Sequence, residues 1–283
     1  MPWIACVTTL NIEGLRRYGV RMLESFDRCW PADVGLIVYA EGFDGAAELA
    51  HLSDRVVFRD LSAVEWRRFF LQAYGRDLMA NGRARDPRTP GREVYDYRYD
   101  AVRFSHKVAA MIDAFLDPIG DPEYLIWIDA DTFTHRTLPA DVLESWLPGS
   151  SCLSILNRNG LHPECGFWIV NRGHYYATDF ILEYKKMYEW GHLFNLPEWH
   201  DSYIFGWIVA RRMKIFGSKF GVMSLSGRYS AAAHPFVKGP LGAFMDHLKG
   251  DRKSNERSHD ASTSVIHPDV PYWNQISDRV AGR

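Results

Sequence analysis

Residues 124–131 run Tyr-Leu-Ile-Trp-Ile and then stop on Asp-Ala-Asp. A strand with one wet face alternates polar and apolar residues, so an unbroken apolar run fits a strand covered on both faces. Such a strand belongs at the centre of an α/β sheet with helices above and below it. The flanking segments repeat the theme. Residues 3–10 and 34–40 read as buried strands, and 55–58 as part of a third. Between the first two, Leu15, Tyr18, Met22 and Phe26 recur at helical spacing, Arg16, Arg17, Arg21 and Glu24 fall on other faces, and Pro31 closes the unit. The spacing of Phe104, Val108, Met111 and Phe115 predicts a second helix, with Arg103, His106 and Lys107 on a different side. Strands are expected at 152–156 and 166–170, and helices at 174–190 and 203–211. The prediction is an α/β fold with a mainly parallel, Rossmann-like central sheet flanked by helices.

Composition narrows the class. At 283 residues the chain exceeds a typical domain, but α/β enzymes of this size often form one globule around one sheet, so we expect a single domain over 1–283. Hydrophobic residues at 47 % exclude general disorder, and a net charge of −2 excludes a global attraction to nucleic acid or anionic membrane. The longest apolar stretch, near residues 203–210, falls far short of the ~20 residues that span a bilayer. The opening Met-Pro-Trp-Ile-Ala-Cys-Val has no basic region followed by a long apolar segment, so a cytoplasmic location is expected. Cys6, Cys29, Cys152 and Cys165 lack the paired spacing of a zinc site and should remain thiols. Residues 76–98 shift to Arg, Asp, Pro and Gly with no apolar period, which reads as a long surface loop. Residues 249–264 read as a flexible basic and polar segment, in which Arg252, Lys253 and Arg257 are a solvated run or close over a bound phosphate. Beyond them, 265–276, with His267, Asp269, Tyr272 and Trp273, is expected to be the last ordered piece and to fold back over the site.

Ligands of open parallel sheets gather at the carboxyl ends of the strands, where loops are free to carry polar groups. Asp129 and Asp131 fall at such an end. Residues two apart on extended backbone point the same way, so both carboxylates can converge on one hard cation, Mg²⁺ or Mn²⁺, that bridges phosphate oxygens. A bare Asp-x-Asp also reads as a surface turn with two solvated side chains. The apolar strand before it and the basic helix before that favour the ion.

The stretch Tyr-Leu-Ile-Trp-Ile-Asp-Ala-Asp-Thr-Phe-Thr resembles the Asp-x-Asp strand of GT-A glycosyltransferases, in an arrangement like that of the retaining family 8 type. The helix with Arg103 and Lys107 resembles the family's basic helix before that strand. Cys165-Gly166-Phe167-Trp168-Ile169-Val170-Asn171 is similar to its segment near the donor sugar, and His234-Pro235-Phe236-Val237-Lys238-Gly239 to its late His…Lys motif. The resemblance implies a metal-dependent transfer of a sugar from a nucleoside diphosphate sugar, UDP-sugar favoured, to a hydroxyl acceptor. It implies Asp129, Asp131 and His234 as metal ligands, and Lys238 with Gly239, Arg103 and Lys107 at the diphosphate. Thr8, Thr9 and Asn11 would meet base and ribose, or simply make a polar turn. The family has Asn where Glu164 stands and Asp-Gln where His200-Asp201-Ser202 stands. Asp201 is a helix cap or a sugar-site carboxylate, and Glu164 is an exposed turn residue or one that binds sugar hydroxyls or acts on the acceptor; both are the candidates for a catalytic carboxylate, as nucleophile or general base. Two other readings share the motif. One is a non-catalytic sugar-binding module of the same fold. The other is a haloacid-dehalogenase-like phosphatase, which wants Thr or Val where Phe133 stands.

Overall fold

The computed structural model describes residues 3–48, 51–85, 93–232, 234–250, 258, 267 and 269–273. In chain order, β1 (Ile4–Asn11), β2 (Val34–Glu41) and β3 (Val56–Asp60) are followed by an outlying ribbon of β4 (Arg83–Arg85) and β5 (Glu93–Tyr95), and then by β6 (Tyr124–Ile128). After it come β7 (Thr132–Thr134), β8 (Leu153–Leu156), β9 (Glu164–Asn171), β10 (Val222–Ser224) and β11 (Met245–His247). Seven of these make the central sheet, in the order β10-β8-β9-β6-β1-β2-β3, and β11 pairs antiparallel with β7 beside it. Neighbours in the sheet are parallel except at β9, which runs against both β8 and β6.

Alternation along each strand divides the core in two. Leu125 and Trp127 of β6 pack with the helices Glu65–Tyr74, Ala101–Leu116, Ala177–Glu189 and Asp201–Phe216. Tyr124, Ile126 and Ile128 pack with the helices Val20–Cys29 and Ala140–Trp146 on the other face. Every residue of β6 is buried, as a central strand requires. The Ala101–Leu116 helix starts on Asp100, whose carboxylate accepts the Arg103 N–H, and Ala109, Ala110 and Ala114 let its inward face lie close on the sheet.

One expectation changes. The segment read as a loop at 76–98 contains the β4–β5 ribbon, paired from Arg83↔Tyr95 to Arg85↔Glu93, with residues 86–92 outside those described. Two strands of three residues each, Arg-Ala-Arg and Glu-Val-Tyr, are too short to show an alternation, which hid them. The helix Glu65–Tyr74 was not anticipated, although Trp66 and Phe70 are its inward side chains. Nor was the antiparallel course of β9.

Of residues 249–264, only 249, 250 and 258 are described, so Arg252, Lys253 and Arg257 lie outside. Ser258 donates its N–H to Asp246 Oδ2 at 2.8 Å and its hydroxyl to the His247 carbonyl at 2.9 Å. Tyr272 donates to the same Asp246 oxygen at 2.5 Å and Trp273 Nε1 to the Gly242 carbonyl at 2.7 Å, so residues 269–273 fold back against the β11 region. Among the described residues no helix is long and apolar enough to cross a membrane.

Candidate active site at the carboxyl edge of the sheet

Past Ile128 the chain turns sharply. Asp129 donates its N–H to the Gly166 carbonyl at 2.9 Å, and its own carbonyl accepts from Thr132 at 3.0 Å, which reverses the backbone into β7. Because β9 is antiparallel, its first residue, Glu164, stands at the same edge as the last residues of β6 and β8. β11 then returns along β7 with Asp246 opposite Phe133 and His247 opposite Thr132, and the Leu248 N–H reaches the Asp131 carbonyl at 2.9 Å.

Three elements thus bring Asp129, Asp131, His247 and Glu164 together. His247 Nε2 is 3.1 Å from Asp131 Oδ1 and 3.4 Å from Asp129 Oδ2, and Nδ1 is 3.1 Å from Glu164 Oε1. One ligand atom each from Asp129, Asp131 and His247 lies within 4.8 Å of the others. The ring is fully buried, yet Nε2 has no aligned hydrogen-bond partner. Nε2 therefore faces both carboxylates in an ion-pair contact without an aligned hydrogen bond, and the three ligand atoms surround one point. Gly166 makes room for the ring, since a Cβ there would stand 2.4 Å from His247 Cε1.

Behind Asp129 sits Lys107. Its Nζ is 2.8 Å from Asp129 Oδ1 and 2.8 Å from Asp201 Oδ2, and it also donates to the Cys165 carbonyl. Trp127 Nε1 donates to the same Asp129 oxygen at 2.6 Å, which leaves Asp129 Oδ2 for the His247 side. Burial opposes charge on every one of these groups, but the pairing outweighs it. Lys107 is held well above the ordinary lysine range by Asp129 and Asp201. Lys107 and His247 hold Asp129 below the usual carboxylate range, and Lys107 with His200 lowers Asp201 to about 2. Asp131, Asp129 and Glu164 raise His247 to about 10.

The residues singled out from sequence divide accordingly. Asp129, Asp131, Lys107, Asp201 and Glu164 converge. His234 does not reach the aspartate pair: its Nδ1 lies 3.4 Å from Glu164 Oε2, and the imidazole beside Asp129 and Asp131 belongs to His247. Glu164 is no exposed turn residue, being 1 % exposed and held by His247, His234 and, at 2.7 Å, Lys249 Nζ. Asp201 is the first residue of its helix, not the cap, and gives its carboxylate to Lys107. Thr8 is buried in β1, Thr9 donates to the Tyr39 carbonyl and Glu41 Oε1, both at 2.9 Å, and Asn11 caps the next turn by accepting the Gly14 N–H at 2.7 Å. Arg103 is exposed at the start of its helix and donates to the Tyr95 hydroxyl at 3.2 Å. Lys238 and Gly239 end the short helix Pro235–Lys238.

His247 and Lys249 were missed. His247-Leu248-Lys249-Gly250 offers the same His, Lys and Gly as residues 234–239, and only the pairing of β11 with β7 decides between the two stretches.

No protein-family model and no curated protein matches the sequence. Among solved structures, mouse xyloside xylosyltransferase 1 aligns with a TM-score of 0.48 and 11 % identity, over 78 % of this chain and 84 % of that one. The bifunctional glycosyltransferase WbbM aligns with a TM-score of 0.50 and 12 % identity, over 98 % of this chain. This chain has the GT-A fold. It spans about half of WbbM, 52 % of that chain, so the likeness carries the glycosyltransferase-like architecture alone. Within the GT-A sheet the acidic pair occupies the carboxyl edge of the parallel strands, and the one antiparallel strand adds Glu164 to it.

Proposed function

We propose that the protein is a metal-dependent glycosyltransferase that takes a nucleoside diphosphate sugar, UDP-sugar first among candidates, and passes the sugar to an acceptor hydroxyl. The observation that carries this reading is the convergence of Asp129, Asp131 and the buried, unaligned His247 Nε2 on one point at the sheet edge. Two carboxylates and an imidazole suit Mn²⁺ better than Mg²⁺, which prefers oxygen ligands alone. When bound, the ion supplies charge neutralisation on the diphosphate leaving group.

The chain's own residues have separable tasks. Lys107 fixes Asp129 by taking one of its oxygens. Asp201 holds Lys107 from the other side. Glu164 accepts from His247 Nδ1 and so turns Nε2 towards the aspartates, the usual arrangement behind a ligating histidine. Both carboxylates are buried and paired, which supports positioning roles for them over the nucleophile or base role that their place in the sequence suggested. Lys238 and Arg103 remain candidates for the diphosphate.

The test is a screen of UDP-, GDP- and other activated sugars for Mn²⁺-dependent thermal stabilisation, together with donor hydrolysis. A ligand at 100 times its dissociation constant adds about 2.7 kcal/mol to stability. The expected result is one donor class that stabilises only with Mn²⁺ and is slowly hydrolysed, with both effects lost in Asp131→Asn. Binding without hydrolysis or transfer favours a sugar-binding module. An Asp131→Asn variant that responds like the parent removes the metal assignment.

A further inference from the structure

A second group of ligating side chains shares no residue with the Asp129 cluster. His162, in the turn before β9, and Glu198 and His200, in the segment before the Asp201–Phe216 helix, bring two imidazole nitrogens and a carboxylate oxygen within 4.8 Å of one another. Glu198 Oε2 stands 2.9 Å from His200 Nε2 and 4.0 Å from His162 Nε2. In a tetrahedral zinc site with bonds of about 2.0–2.1 Å, neighbouring ligand atoms lie about 3.3 Å apart. The two observed separations bracket that value, so modest side-chain rotations close the site.

The surroundings fit ligation. The His200 ring is buried against Tyr97 and Phe104, with centroids 5.4 and 6.0 Å away, and the His162 ring meets Tyr203 edge-on at 4.6 Å. Arg158 Nε donates to the His162 carbonyl at 2.7 Å and pins that turn. Behind His200, Nδ1 faces Asp201 Oδ1 at 3.9 Å, so a carboxylate backs one of the imidazoles. The His162 and Glu198 side chains are 35 % and 25 % exposed, which leaves an entry path and a face for water.

We propose that His162, Glu198 and His200 form a second divalent-cation site, of the two-imidazole, one-carboxylate kind that takes Zn²⁺, with its fourth position open to water. On binding, Nε2 of His200 turns from Glu198 to the ion, and the ring takes the tautomer that carries its proton on Nδ1, towards Asp201. The ion joins the turn before β9 to the start of the Asp201–Phe216 helix, whose first residue holds Lys107.

The experiment is calorimetric titration of chelator-treated full chain with Zn²⁺. In an Asp131→Asn background, one equivalent is expected, and adding His162→Gln or Glu198→Gln should weaken it at least tenfold. In the otherwise unsubstituted chain, His162→Gln alone should remove one equivalent while leaving the melting temperature in chelator unchanged, because His162 is partly exposed. Zn²⁺ stoichiometry and affinity that neither substitution alters would overturn the proposal, as would no stoichiometric binding in the Asp131→Asn chain. Mn²⁺-dependent donor binding is read separately, so failure of this site leaves the glycosyltransferase reading standing, and the reverse.

Discussion

Lys107 carries its charge where a lone ammonium could not stay, and it does so because Asp129 and Asp201 each stand 2.8 Å away. Removing one partner of a buried ionic group leaves the others uncompensated, which typically costs about 3–5 kcal/mol. Lys107→Met should therefore lower the urea midpoint by a stability change of that order. Adding Asp201→Asn should restore part of it, since one of the stranded charges goes too. A loss below about 1 kcal/mol would mean the triad is solvated and not buried. The imidazoles allow a sharper comparison. His247→Ala should reduce Mn²⁺ affinity most, Glu164→Gln about 10–100-fold as a residue behind a ligand, and His234→Ala less than either. Equal losses at His234 and His247 would count against the geometry. Asp129 and Asp131 were legible in the sequence because they follow directly on an unbroken apolar strand, whereas Lys107 and Asp201 were singled out by the resemblance. His247 was not, because β11 is three residues long and its histidine is defined by the strand it pairs with.

The longer strands and the parallel course of β1, β2 and β3 were readable, and the direction of β9 was not. Cys165 to Val170 is an apolar run with the same content whichever way it runs, so its burial was predictable and its antiparallel course was not. That direction is what brings Glu164 to the carboxyl edge; in a parallel strand it would stand at the opposite end from the aspartates. It also places Gly166 under the His247 ring. Gly166→Ala should therefore push the imidazole off the aspartate pair with little damage to the strand, whose backbone pairing does not need glycine here. The expected outcome is a fold kept, judged by far-ultraviolet circular dichroism, with Mn²⁺-dependent stabilisation lost. Full Mn²⁺ response in that variant would show that the ring has room to spare. The helices Val20–Cys29 and Ala101–Leu116 were legible from their spacing, and β4 and β5 were hidden because three residues are too few to show a period.

At the scale of the molecule, the site binds both core layers together through buried charges, so its protonation should appear in global stability. Burial opposes ionisation of Glu164, Asp129 and Asp201, yet their partners leave all three below ordinary values, Asp201 at about 2. Groups depressed in the folded state stabilise it above their unfolded pKa and lose that contribution as pH falls through the folded one. Stability should drop as the solution is acidified below about pH 4.5. His247 works in the opposite sense. Burial alone would lower it, but its three carboxylate neighbours raise it from 6.5 to about 10, so its contribution is complete below 6.5 and disappears as pH rises towards 10. In chelator, the urea midpoint should fall steadily between about pH 6.5 and about pH 8.5. With Mn²⁺ the trend should turn, because the ion takes the place of the Nε2 proton and its apparent affinity rises by up to about tenfold per pH unit over that range. The two curves, measured on the same chain, should diverge with pH. Parallel curves, or a His247→Gln variant that keeps the parent's alkaline slope in chelator, would mean that the proton and the ion do not compete for this imidazole.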